Sequence, residues 1–129
     1  NLLILATMNP YDKSVIDLDD ALERRFERVP LDPNIDILRM MLTTAGMQGE
    51  LVGKVISFFN LVNAKSHHGV GHALFLGIKD ESDLKRLWDY KLRFIFEKMF
   101  RFEPEVLKEI NAEYEAMLAQ QKSPAPPGT

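Results

Sequence analysis

The hydrophobic pattern changes character near residue 33. Before it, two short apolar runs read as strands. Residues 2–6 are continuously apolar and end at Thr7, the pattern of a strand buried on both faces of a parallel α/β sheet. Residues 7–14 form the loop at its C-terminal end, where open α/β sheets bind their ligands. Residues 17–26 read as a short helix, with acidic residues in the first turn and Arg24 and Arg25 in the last, matching the helix dipole. Residues 27–31 read as a second strand, closed by Asp32-Pro33-Asn34, which also caps the next helix.

From there the pattern is helical. Residues 35–45 make one helix, ended by Gly46, and residues 50–64 a second, with Leu51, Val55, Phe58, Phe59 and Val62 on one face. Residues 66–77 form a loop rich in Gly and His. Residues 82–100 make a third helix, with Ser82 as its cap and Leu84, Trp88, Leu92, Ile95 and Met99 as its apolar stripe. Pro104 opens a fourth, carrying Leu107, Ile110, Tyr114 and Met117. Residues 122–129 hold three prolines and a glycine and read as a disordered tail. The expected fold class is α/β followed by all-α. Residues 1–33 would be the C-terminal part of an α/β core and residues 34–121 a helical domain.

Composition narrows the function classes. Hydrophobic residues make up 46% of 129, enough for a globular core. The net charge of −3 gives no electrostatic case for wrapping nucleic acid, so no direct nucleic-acid binding is expected. Cysteine is absent, which removes disulfides and thiolate metal sites and fits a reducing cytoplasm. No apolar run approaches the about 18 residues needed to span a bilayer, so no membrane partner is expected. The chain opens directly on the first strand without an initiator Met, and a missing upstream portion is expected.

A phosphate-binding loop of the G-x-x-x-x-G-K-[ST] type is absent. Gly49 and Gly53-Lys54 come nearest, but the glycines are too close together and Val55 follows where a magnesium-binding hydroxyl is required. His67, His68 and His72 lack the spacing of a metal site, and no metal is expected. Trp88 and the phenylalanines from 94 to 102 read as core, and Lys85-Arg86 and Lys91-Arg93 as solvated faces.

The chemistry-bearing stretch is residues 7–26. Asn9 at a strand tip can orient a water or touch a γ-phosphate. An arginine at the end of a helix can reach a neighbour's nucleotide, and charge on a transferring phosphoryl group needs donors of this kind. Phe26 is expected to anchor the arginine-bearing end.

Leu5-Ala6-Thr7-Met8-Asn9-Pro10-Tyr11-Asp12-Lys13-Ser14, followed by Leu18-Asp19-Asp20-Ala21-Leu22-Glu23-Arg24-Arg25-Phe26, resembles the second half of an AAA+ module. It is most similar to the McrB-like, dynein-related branch, with its T-M-N-x-x-D-R-S loop and D-x-A-L-x-R-R-F helix. Gly71-His72-Ala73-Leu74-Phe75 is similar to that branch's G-H-S-Y-F stretch, so the resemblance extends over roughly residues 2–100.

The resemblance implies a C-terminal fragment of a motor that hydrolyses ATP or GTP with Mg2+ at the subunit interfaces of a homo-oligomeric ring, a hexamer, with a nuclease as a possible partner. It makes Asn9 the sensor-one residue and Arg25 the arginine finger, with Arg24 as second choice. Asp12, Lys13, Gly71 and His72 become nucleotide or lid contacts, and residues 34–121 the helical lid. Two departures matter. Lys13 replaces an arginine and loses its planar fork, and Ala73-Leu74 replaces Ser-Tyr and loses two hydroxyls. Two alternatives stay open: a MoxR-like or dynein-related chaperone ATPase, and a degenerate, non-catalytic helical interaction module.

Overall fold

The computed structural model describes residues 1–7 and 20–119, without the Leu22 side chain. The chain divides into two compact units, Asn1–Leu31 and Asp32 onwards.

Within the first unit the described structure is one short helix, α1 (Asp20–Glu23), closed by the Arg24 N–H donating to the Asp20 carbonyl. Arg28 pairs with Glu23 just beyond it. Neither expected strand forms, which overturns the α/β part of the expected fold class: the described residues are helical and contain no strand. The physical reason is that apolar composition supplies a face to bury, whereas a strand exists only through a ladder with a neighbour. No such neighbour is present among the described residues. Leu2, Leu5 and Leu31 are each 87% exposed, and Val29 is exposed as well.

The second unit is a helical bundle. α2 (Ile35–Thr44) begins where the Asn34 side chain accepts the Ile37 N–H at 3.0 Å, and it ends at Gly46, whose φ of +91° suits a residue without Cβ. α3 (Gly49–Lys65) buries Leu51, Val55, Phe58, Phe59 and Val62 as its periodicity requires, and Val52 and Ile56 as well. That wider face fits a helix packed between two others, α2 and α6 (Pro104–Ala119). An ion pair from Lys65 to Glu109 (2.8 Å) and the approach of His67 Nε2 to Glu103 Oε1 (3.6 Å) join the end of α3 to the start of α6, so the two helices run antiparallel.

Between α3 and α6 the chain makes a single 3-10 turn, His72–Phe75, and then a long helix in three parts: α4 (Glu81–Leu87), a π turn (Trp88–Leu92) and α5 (Arg93–Met99). Its cap is Asp80, not Ser82, because the Asp80 side chain accepts the Asp83 N–H at 2.9 Å. The π turn, in which the Arg93 N–H reaches back to the Trp88 carbonyl, changes which residues are buried. An ordinary helix would bury Leu84, Trp88, Leu92, Ile95 and Met99. The wider turn advances the phase by about one residue, or about 100°, and the buried series becomes Leu84, Trp88, Leu92, Phe96 and Phe100. Ile95 and Met99 are left at the margin of the core. Phe94 and Phe102, read from sequence as core, are instead 54% and 83% exposed.

Phe58 of α3 joins the bundle. Its ring meets Trp88, Phe96 and Tyr114 edge-on at centroid distances of 6.2, 6.1 and 6.3 Å. Trp88 stacks flat on Tyr114 at 3.9 Å. The Tyr114 hydroxyl is buried without a hydrogen-bond partner among the described residues. Burial pushes it up to about 12, and the negative charges of Asp89 and Glu115 add to the shift. No helix among the described residues is long and apolar enough to cross a membrane.

Candidate functional site

The candidate residues fall in three places. Asn9, Asp12 and Lys13 lie outside the described residues. Arg24 and Arg25 lie in the turn that follows α1, and both are exposed. Phe26 is 42% exposed, so its ring does not anchor that turn in a core as expected. Arg25 is therefore exposed in a turn beyond a four-residue helix, not in the last turn of the longer helix over 17–26 that its sequence suggests, and it lacks the packing that would hold it rigid for a reaction.

Gly71 and His72 belong to the second unit, where the local structure is well determined by hydrogen bonds. The loop after α3 starts at Ser66, whose hydroxyl oxygen accepts the N–H groups of His68 (3.2 Å) and Gly69 (2.8 Å). Gly69 sits at φ +75°, and a Cβ there would lie 3.0 Å from Pro33 Cγ and 3.1 Å from Asn63 Oδ1, so only glycine fits without adjustment.

Asn63, in the last turn of α3, closes the loop like a buckle. Its Oδ1 accepts the Val70 N–H at 2.7 Å, and its Nδ2 donates to the Val70 carbonyl at 3.3 Å and to the Phe59 carbonyl at 2.9 Å. Val70 is buried behind this bracket. The chain then enters the 3-10 turn at Gly71, and Phe75 drops into the core against Phe59, ring to ring at 6.0 Å.

His72 faces the head of α2. Its Nδ1 accepts the Asn34 backbone N–H at 3.2 Å, which places the proton of the neutral ring on Nε2. Asn34 is thus engaged twice: its side chain caps α2 and its N–H holds His72. Gly71 is exposed, with open space where a Cβ would stand. Among the candidates, then, the described structure brings together only Gly71 and His72, with Asn34 and Asn63 as their supports.

The stretch nearest a phosphate-binding loop lies inside α3. Gly49 is the first helical residue, Gly53 is exposed in mid-helix, Val55 is fully buried, and Lys54 Nζ lies 3.2 Å from Glu50 Oε1. Among the described residues no group of three or more His, Asp or Glu side chains is arranged to hold a metal ion.

Two features of this region escaped the sequence reading although local signals for them exist. Ser66 and Gly69 are the first and fourth residues of Ser-His-His-Gly, a spacing that favours a tight turn. Asn63 falls on the polar edge of the α3 stripe, next to Val62, but nothing in its spacing points to Val70. The chain matches no protein family, no curated protein and no solved structure.

Proposed function

We propose that this chain is the C-terminal part of an AAA+ nucleoside-triphosphatase motor of the McrB-like type, cytoplasmic and ring-forming, hydrolysing ATP or GTP with Mg2+. The observation that carries this reading is the two-part motif in which Asn9, Asp12 and Lys13 precede Asp20-Ala21-Leu22-Glu23-Arg24-Arg25-Phe26. In this reading Asn9 acts as sensor one, Arg25 as the finger reaching a neighbour's nucleotide, and the helical unit as the lid, with Gly71 and His72 at the 3-10 turn after α3. Support comes from the exposure of Arg24 and Arg25 and from the helical unit that follows them. The unpaired state of residues 2–6 counts against it, so the reading rests on the polar motif residues and not on a sheet.

The reading requires a longer protein. An antibody raised against this chain should detect, in cells that produce it, a polypeptide well above 14.8 kDa. Isothermal calorimetry with the chain itself should show no saturable binding of ATP or GTP, because it holds no phosphate-binding loop. In the longer protein, Arg25→Ala should still bind nucleotide and assemble, yet lose most hydrolysis, on the order of 1000-fold. Mixing it with a phosphate-loop variant should restore part of the activity, since mixed rings pair a sound loop with a sound finger. A stronger defect from Arg24→Ala would move the finger by one residue. Full hydrolysis by the double variant Arg24→Ala, Arg25→Ala would overturn the motor role of this segment.

A further inference from the structure

The net charge of −3 conceals one short basic stretch, bounded by Asp80, Glu81 and Asp83 on one side and by Glu103 and Glu105 on the other. Between residues 85 and 102 stand six basic residues, Lys85, Arg86, Lys91, Arg93, Lys98 and Arg101, against two acidic ones, Asp89 and Glu97. The same stretch carries aromatic rings that the fold turns outward. Because Leu84, Trp88, Leu92 and Phe96 form the buried ridge of the long helix, the residues two places on, Arg86, Tyr90, Phe94 and Lys98, form the opposite one, and the exposed Phe102 stands in the turn beyond it.

Tyr90 is 79% exposed and Phe94 54%. These exposures are large for rings that ordinarily dominate cores. The Arg93 guanidinium lies 5.1 Å from the centre of the Phe94 ring, and that of Arg101 4.5 Å from the centre of the Phe102 ring. Arg86 is paired with Asp83 and Arg93 with Glu97, whereas Lys85, Lys91, Lys98 and Arg101 form no ion pair among the described residues. The ridge therefore carries the open rings of Tyr90 and Phe94 with the unpaired cations Lys91 and Lys98 close by. Successive positions on it are about 6 Å apart along the helix axis.

We propose that this ridge binds single-stranded nucleic acid, stacking bases on Tyr90 and Phe94 and neutralising backbone phosphates with Lys91, Lys98 and Arg101. Rings need partners with an open face. A single strand offers its bases, whereas a duplex hides them in its own stack. The cations need a polyanion, and phosphates at every residue of the strand supply one. An acidic peptide would satisfy the charge but leave the rings in water. The proposal departs from the expectation drawn from net charge, because binding follows the local field and not the sum. It is independent of the motor reading: a chain that never meets a nucleotide-hydrolysing site still carries this ridge.

The test is fluorescence anisotropy with the 129-residue chain and labelled oligonucleotides of about 16 nucleotides, as DNA and as RNA, each single-stranded and as a duplex, at about 50 mM salt. The single strands should bind at least about 10-fold more tightly than the duplexes. Tyr90→Ala and Phe94→Ala should each weaken single-strand binding by roughly 5- to 100-fold, and Tyr90→Phe should retain it. Lys91→Gln should lower the salt slope by about 0.7. Circular dichroism and a urea transition for each variant confirm that the fold is intact, as expected at exposed positions.

Several results would overturn the proposal. These are the absence of single-strand binding, affinity for poly-glutamate equal to that for the strand, or binding confined to vesicles of anionic lipid. Indifference to both alanine substitutions would reduce the ridge to a general polyanion surface and remove the stacking role.

Discussion

Asn63→Ala probes the bracket that sets the loop before His72. The substitution removes three hydrogen bonds, to the Val70 N–H, the Val70 carbonyl and the Phe59 carbonyl. Each contributes about 0.5–1.5 kcal/mol net. The 3.3 Å bond belongs at the low end and the 2.7 Å bond at the high end, giving a loss of about 2–3 kcal/mol. Two effects offset part of it. The site is half-buried, so water can reach some of the freed groups. Alanine also gains about 0.5 kcal/mol over asparagine inside a helix. The expected net loss is about 1–2 kcal/mol. Asn63→Asp sharpens the test because it keeps the acceptor for Val70 and the side-chain shape but sets a carboxylate oxygen against two carbonyls. It should cost as much as alanine or more, without alanine's helix gain. Urea unfolding followed by circular dichroism gives the midpoints, with a slope unchanged from the parent. Amide exchange at Val70 should accelerate in both variants, while amides in mid-α3 keep their protection. A loss under about 0.5 kcal/mol with Val70 exchange unchanged would show that the loop is held by packing of Val70 and Phe75 alone.

Two further predictions concern glycine and tyrosine. Gly53→Ala, in open space on mid-α3, should stabilise the chain by about 0.8–1 kcal/mol, whereas Gly69→Ala, at φ +75° against Pro33 and Asn63, should cost at least 1–2 kcal/mol; paired urea transitions decide, and the same sign for both would contradict the loop geometry. Tyr114 holds its proton in the folded chain to about pH 12 but releases it near 10.0 when unfolded. The stability it contributes is therefore present in full below pH 10.0 and is lost as pH rises toward 12, by on the order of 2 kcal/mol. Tyr114→Phe removes a buried hydroxyl that lacks a partner, so it should be neutral or slightly stabilising at neutral pH. It should also abolish the late step in a titration of phenolate absorbance, and retention of that step would assign it elsewhere.

Helix ends were legible in the sequence because they are local chemistry. Asn34 caps α2, Gly46 ends it and Pro104 opens α6 through interactions within a few residues of each. The stripe of α3 was legible for the same reason, since one helix face is a property of one helix. The apolar runs at residues 2–6 and 27–31 announced an affinity for burial, but whether a strand forms depends on a ladder partner, which lies outside the run itself. The inward and outward rings of the long helix were decided by the π turn at Trp88–Leu92. Its extra residue lets Trp88 stack on Tyr114 while moving Phe96 and Phe100 into the core and leaving Phe94 outside.

Of the candidate site, the residue types and their order came from the sequence. The support of His72 by Asn34, 38 residues away, came only from the fold. A backbone N–H has no sequence signature for the partner it will find, because that choice is made when α2 and the 3-10 turn pack together. In the second unit the sequence determined the main helices to within a residue or so at their ends, because their signals are local, while the tertiary structure decided which faces those helices share, and so which polar and aromatic groups were left for solvent or a partner.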